Sequence, residues 1–139
     1  GPNLNLLGNR EQNFYGDTSL ERIQSLCSEE CSKNKIEMEF FQSNHEGELI
    51  EKIHLVESSF DGLIINPAAY THTSIALLDA LRAISKPKIE VHISNIYARE
   101  DYRRKSITSE AVNGVICGFG ENGYLLAIEA MKKLIYKDQ

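Results

Sequence analysis

The sequence predicts an α/β domain, a parallel sheet covered on both faces by helices, and three observations predict it. Helix and strand signals alternate along all 139 residues, with no linker, low-complexity tract or internal repeat. The apolar run Leu63-Ile64-Ile65, bounded by Asp61-Gly62 and Asn66-Pro67, has the length and flanks of a buried parallel strand. Between Pro87 and Asn95, Ile89, Val91 and Ile93 alternate with Glu90, His92 and Ser94. A strand there puts the apolar side chains on one face and a carboxylate, an imidazole and a hydroxyl on the other. Alternating strands and helices in this order select right-handed crossovers.

The elements follow in order. After a loop from Gly1 to Gly16, Thr18-Ser19-Leu20-Glu21 has the form of a capping box and opens a helix with an apolar stripe of Leu20, Ile23, Leu26 and Cys27. Residues Ile36 to Gln42 read as a strand. A helix is expected from about Glu46 to Glu57, with Leu49, Ile50 and Ile53 inward, His45 at its start and His54 on the packing face. The strand Leu63 to Ile65 comes next, then a helix from Thr73 to Ile84 with Ile75, Leu78 and Leu81 inward, ended by Lys86-Pro87. Beyond the strand Ile89 to Ile93, residues Ala98 to Lys105 suit one or two helical turns. Val115 to Cys117 is the last strand, and a helix from about Asn122 to Ile135 closes the chain.

Composition narrows the class. A hydrophobic content of 42% over this length suits one globular domain with a real core. A formal net charge of -5 argues against nucleic acid or an anionic membrane surface as the main partner. No apolar stretch approaches the roughly 20 residues that cross a bilayer, and no signal-like segment opens the chain, so a cytoplasmic protein is expected. The cysteines are odd in number, and Cys27 and Cys31 stand four apart on a predicted helix with no histidine or carboxylate set beside them. Neither a disulfide framework nor a metal site is expected.

Ligands of open α/β sheets gather beyond the carboxyl ends of the strands. That location holds Asn66-Pro67-Ala68-Ala69-Tyr70-Thr71-His72-Thr73-Ser74 after one strand and the Glu90-His92-Ser94 face at the end of the next. Asn-Pro and Thr-Ser pairs also serve as plain turn and cap chemistry, and the second strand is what favours a site. Arg99 and Arg103, four apart, share one face of the short polar segment, a spacing common to solvated helix faces and to anion sites. In the first loop, Arg10 precedes Tyr15 between glycines. A tyrosine there is either a surface ring or, with an arginine favouring its phenolate, a base. Gly118-Phe119-Gly120-Glu121-Asn122-Gly123 spells G-x-G-x-x-G, but only 16 residues follow it, too few for the rest of a dinucleotide unit. Tight turning and close packing are the expected roles of those glycines.

Together these segments resemble the type II 3-dehydroquinate dehydratases, over nearly the whole chain. The resemblance is carried by Gly1-Pro2-Asn3-Leu4-Asn5-Leu6-Leu7-Gly8 with Arg10-Glu11 and Tyr15-Gly16, by Gln42 to Glu48, by Tyr70-Thr71-His72-Thr73-Ser74, by Ile89 to Asn95 and by Gly114-Val115-Ile116 with Gly118-Phe119-Gly120. It implies a flavodoxin-like three-layer sandwich with sheet order 2-1-3-4-5, a single catalytic domain over residues 1–139, trimers packed as a dodecamer, and neither metal nor organic cofactor. The family begins with an apolar strand before Gly-Pro-Asn, so the first strand is expected upstream of Gly1. Ala68 stands where the family usually has glycine.

The implied chemistry is loss of water from 3-dehydroquinate to give 3-dehydroshikimate through an enolate, a step of aromatic amino acid biosynthesis. By resemblance, Tyr15 is the base with Arg10 beside it, Asn66 holds a water at the enolate oxygen, and His92 protonates the leaving hydroxyl with Glu90 behind it. Ile93 and Ser94 supply the carboxylate pocket, His72 and Arg103 the hydroxyl contacts, and Asn3 and Arg99 line the site. Asp79, on the outward side of its helix, is expected to reach a neighbouring subunit's pocket. Two rivals stand beside this reading: a lysine Schiff-base dehydratase, and a flavodoxin-like module that binds flavin or phosphate without catalysis.

Overall fold

The computed structural model describes residues 1–8 and 18–136. In chain order its elements are α1 (Leu20–Lys33), α2 (Glu46–His54), α3 (Val56–Ser59), β1 (Leu63–Ile65), α4 (Ile75–Arg82), β2 (Lys88–His92), α5 (Asp101–Arg104), β3 (Gly114–Cys117) and α6 (Asn122–Ile135), with short 3-10 turns between them. The strands form one parallel sheet in the order β1-β2-β3, with Ile65 opposite Glu90 and His92 opposite Cys117. No helix among the described residues is long and apolar enough to cross a membrane.

The alternation read in β2 sets the layers. Ile89, Val91 and Ile93 pack with Ile23, Cys27 and Cys31 of α1 and with Ala127, Ile128 and Met131 of α6. On the other face, Ile65 joins Leu49 and Ile53 of α2, Val56 of α3, and Leu77, Ala80 and Leu81 of α4. Lys88, Glu90 and His92 are also buried, so β2 is covered on both faces, as a central parallel strand must be. Gly123 lets α6 approach the sheet: a Cβ there would lie 3.3 Å from Val91 Cγ1 and 3.7 Å from Ile116 Cγ2. Gly118 turns the chain out of β3 at φ 92°. The G-x-G-x-x-G run thus serves turning and packing, and Glu121 within it pairs with Arg22 at 2.8 Å.

Several expectations need correction. Residues 36–42 alternate as a strand does, with Ile36, Met38 and Phe40 packed on the core, but they form no strand ladder among the described residues. Side-chain period tells which way residues point; only a neighbour of matching register makes a strand. The cap of α1 is Ser19, whose hydroxyl accepts from the Arg22 amide, while Thr18 donates to Glu121 at 2.6 Å. The helix expected to Glu57 breaks at Leu55, where the Leu55 amide bonds Lys52 in a tightened turn. The buried set there is Leu49, Ile53 and Val56, so His54 falls outside the stripe and is exposed, not packed. In α4 the inward face is Leu77, Leu78, Ala80 and Leu81, and Ile75 is 65% exposed. Its i, i+3 spacing with Leu78 matched the stripe, but the docking of the helix on α2 and β1 turns its first residue away from the core.

Candidate active site

Beyond the carboxyl ends of β1 and β2 lies a narrow cleft walled by Asn3, Asn66, His72, His92, Arg99 and Arg103. Asn66 follows β1 directly and is nearly buried. Its Nδ2 donates to the Tyr124 hydroxyl at 2.8 Å and its Oδ1 accepts the Ala68 amide at 3.0 Å, which fixes the orientation of the side-chain amide. Burial pushes the Tyr124 phenol up to about 12, against the hydrogen bond from Asn66, so the hydroxyl stays neutral. The Asn66 turn forces Ala68 into the left-handed region at φ 52°, where glycine is the unstrained choice.

The next turn brings His72 to the cleft wall, where its Nδ1 lies 2.7 Å from the Lys105 carbonyl. A carbonyl only accepts, so Nδ1 carries the proton and a neutral ring offers Nε2 as an acceptor. Ile93 and Ser94 line the cleft at the end of β2. Asn3, in the left-handed region at φ 65°, closes another side, its amide donating to Asn44 Oδ1 at 2.9 Å.

Glu90 and His92 form the buried centre, with side chains 0% and 5% exposed and Glu90 Oε2 2.7 Å from His92 Nε2. Two residues apart on one strand, they share a face. The carboxylate accepts a hydrogen bond from Nε2–H, so Nδ1 is the ring nitrogen left for a ligand. Burial pushes the Glu90 carboxyl up, but hydrogen bonds from His92, Thr108 and Ser106, with the pull of His92, outweigh it and hold the group below the usual glutamate range.

Arg99 and Arg103 both line the cleft, and both lie near Glu100, at 3.7 and 3.2 Å. They are not on one helical face as the spacing suggested. Arg99 precedes α5 in extended backbone, φ -107° and ψ -168°, and Arg103 is on α5 itself. The fold still brings both cations to the rim. A cleft with two guanidiniums, two imidazoles and a fixed amide suits an anionic, hydroxylated small molecule. Among the described residues no cluster of three or more histidine, cysteine or carboxylate side chains is placed to hold a metal.

The chain matches the family model for dehydroquinase class II over residues 1–132. A 3-dehydroquinate dehydratase of Thermoanaerobacter pseudethanolicus is 54% identical over 96% of this chain and 90% of that protein. One from Aliarcobacter butzleri is 53% identical over 97% of this chain and 82% of its own. Among solved structures, the type II dehydroquinase of Butyrivibrio crossotus superposes with a TM-score of 0.93 at 48% identity, covering 95% of this chain and 92% of that one. The chain belongs to the class II dehydroquinases.

For a class II dehydroquinase, the sequence had named most of the cleft: Asn3, Asn66, His72, His92, Ile93, Ser94, Arg99 and Arg103 all line it, with Glu90 behind His92. Arg10 and Tyr15 lie outside the described residues. Asp79 is exposed on α4 and does not line this chain's cleft. Sequence reasoning missed Tyr124, which orients Asn66, and the hydroxyls of Thr71, Ser106 and Thr108 around Glu90. The i, i+2 spacing of Ser106 and Thr108 was a weak signal for the last two.

Proposed function

We propose that this class II dehydroquinase removes water from 3-dehydroquinate to give 3-dehydroshikimate, in the shikimate pathway, through an enolate. The observation that carries the reading is the buried Glu90–His92 pair opening on a cleft flanked by Arg99 and Arg103. A hydroxide is a poor leaving group and a proton beside a ketone is weakly acidic, so the reaction needs a base, a stabiliser for the enolate oxygen and an acid.

Tyr15 takes the proton beside the ketone as a phenolate favoured by Arg10. The electron pair moves onto the ketone oxygen, where Asn66 holds a water that donates to the developing charge. His92 then delivers a proton from Nδ1 to the hydroxyl, the C–O bond breaks, and the double bond forms as the ketone is restored. With Glu90 on Nε2, the imidazolium is stabilised in the orientation that presents Nδ1. The amides of Ile93 and Ser94 receive the substrate carboxylate, His72 Nε2 accepts from a ring hydroxyl, and Arg103 contacts another, with Asn3 and Arg99 closing the wall. The reaction as written uses these side chains and one water, with no metal or organic cofactor.

In this reading residues 1–139 are one catalytic domain of flavodoxin type, with β1 to β3 as the last three strands of a 2-1-3-4-5 sheet. Residues 36–42, which pair with no strand among the described residues, have the alternating exposure that the outer strand of such a sheet would need. The chain works as a cytoplasmic homotrimer, assembled further into a dodecamer, with Asp79 reaching a neighbouring pocket. Its outward position on α4, beside the exposed Ile75, supports that role.

The lysine route has little support. Lys88 has its pKa lowered by burial, as an imine-forming amine would need, but its Nζ bonds the Ile84 carbonyl at the amino end of β2. That end is about 13 Å from His92 by strand rise. The decisive assay follows ultraviolet absorbance as 3-dehydroquinate becomes a conjugated product, with Tyr15→Phe and His92→Ala alongside wild type. Each variant is expected to lose at least about 10²-fold in kcat, the scale of one positioned acid or base. A wild type that leaves substrate unchanged but copurifies with flavin or nucleotide would replace this reading with a binding module.

A further inference from the structure

Glu90 does not rest on His92 alone. Its Oε1 accepts from the Thr108 hydroxyl, and its Oε2 accepts from Ser106 at 2.7 Å and from Thr71 at 3.2 Å, in addition to His92. The Thr71 hydroxyl sits between the other two, with its Oγ1 2.6 Å from both Ser106 Oγ and Thr108 Oγ1. Thr71 and Thr108 are fully buried and Ser106 is partly so. These residues come from two separate segments, the turn after β1 and the stretch between α5 and β3, tied together by the Ile107 amide on the Thr71 carbonyl at 2.8 Å. None of the three lines the cleft.

A carboxylate offers about four acceptor sites, two on each oxygen; here Oε1 takes the Thr108 hydroxyl, and Oε2 is met by His92, Ser106 and, at longer range, Thr71, whose hydroxyl also links the other two. Burial alone favours the neutral acid, which would itself carry a proton and compete with His92 for position. We propose that Thr71, Ser106 and Thr108 are positioning residues: a buried hydroxyl cradle that keeps Glu90 ionised and fixed, so that His92 holds its proton on the cleft side. The inference rests on the acid role assigned above to His92. Titratable groups on the surrounding elements are His92 and Lys88 on β2 itself, Tyr70 and His72 on either side of Thr71, Lys105 beside Ser106, Glu110 beyond Thr108, and Cys117 at the end of β3. Of these, His92 is the one that hydrogen-bonds the carboxylate and pulls on its charge.

The cradle acts on the pair in a definite direction. Donors stabilise the charged carboxylate whether or not His92 is protonated, so removing one raises the pH at which Glu90 takes up a proton. The test is Thr108→Val, with Thr108→Ser as the conservative rescue. The carboxyl of Glu90 is followed by carbon-13 NMR in glutamate-labelled protein without substrate, assigned by its loss in Glu90→Gln. One hydrogen bond to a charged group corresponds to a rise of about one pH unit in the carboxyl midpoint. The same upward move is expected in the acid limb of the kcat profile with 3-dehydroquinate, with KM within about twofold of wild type because Thr108 stays clear of the cleft; serine restores both. Ser106→Ala, at a less buried site, is read in the same way if the valine variant does not fold.

A variant whose Glu90 midpoint matches wild type while only its melting temperature falls would overturn the proposal, leaving the hydroxyls as packing. A midpoint that moves without the kcat limb would show that Glu90's charge does not govern the acid step, and would overturn it too. Failure of the wild type to turn over 3-dehydroquinate is a separate result: it would remove the assigned reaction, while the substrate-free titration still decides whether the hydroxyls hold the carboxylate.

Discussion

Lys88 and Glu90 stand two residues apart on β2, point to the same side of the sheet and both bury an ionisable group, yet the fold serves them differently. Glu90 receives donors from His92, Ser106, Thr108 and Thr71. Lys88, with three protons to donate, gives one hydrogen bond to a helix-end carbonyl at 2.6 Å. At Lys88 burial dominates and lowers the pKa against the pull of Glu57; at Glu90 the donors overturn burial and the pKa is lowered by the opposite balance. Burying a charge is costly at both positions. Only at the cleft end has the surrounding structure converted that cost into a charge of fixed sign and direction.

The largest effect expected from breaking this contrast is at Glu90→Gln. It removes the charge opposite His92 and sets amide protons against hydroxyls already acting as donors, so denaturant unfolding at neutral pH should show a loss of about 3–5 kcal/mol. The sign with pH follows from the lowered native pKa. The stability contributed by Glu90 is fully present above the unfolded glutamate value of about 4.3, and it is lost as pH falls through the lower native value. Wild type and Glu90→Gln should therefore converge in stability on acidification, and curves that stay parallel would show that Glu90 is not held ionised.

Lys88→Met probes the other end. The ammonium has one acceptor and methionine fills similar space, so a change between zero and about 1 kcal/mol of added stability is expected at neutral pH by the same unfolding measurement. A loss above about 2 kcal/mol would mean that the Ile84 contact matters as much as the Glu90 network. The smallest effect concerns the backbone beside the cleft. Ala68 sits at φ 52° because the Asn66 turn demands it, and Ala68→Gly relieves that strain at the cost of a more flexible unfolded chain, for a net gain of about 0.5–1 kcal/mol. Lys35, at φ 57° past the end of α1, is in the same conformation for a different reason: its amide and that of Ile36 bond back to Ser32 and Cys31 to close the helix. An Ala68→Gly enzyme less stable than wild type would show that the loop is not strained.

Wherever a periodic pattern met a fully covered face, the fold was legible in the sequence. The two-residue alternation of β2 placed Glu90 beside His92 correctly, and α6 was read from Asn122 to Ile135 as observed. Errors fell where a pattern was ambiguous about its neighbour. Ile75 fitted the spacing of an inward stripe but sits at the first turn of α4, where the helix overhangs its support. Arg99 and Arg103 reached the same cleft by different backbone routes from the one their spacing suggested, because a four-residue interval means one face only inside a continuous helix.

The sequence by itself determined which residues share a strand or helix face, since period depends only on local backbone geometry: this made Glu90 and His92 partners and put Asn66 and His72 just past a strand end. Tertiary structure alone decided what surrounds them. Thr71 and Thr108 are 37 positions apart, and Asn66 and Tyr124 are 58 apart. No local period relates such pairs; the docking of α6 on the sheet and of the 106–108 stretch on the turn after β1 brings them within hydrogen-bond reach. The charges were written in the chain, and their orientation was set by packing, because an unsatisfied polar group in a closed interior is too costly for the native structure to leave unpaired.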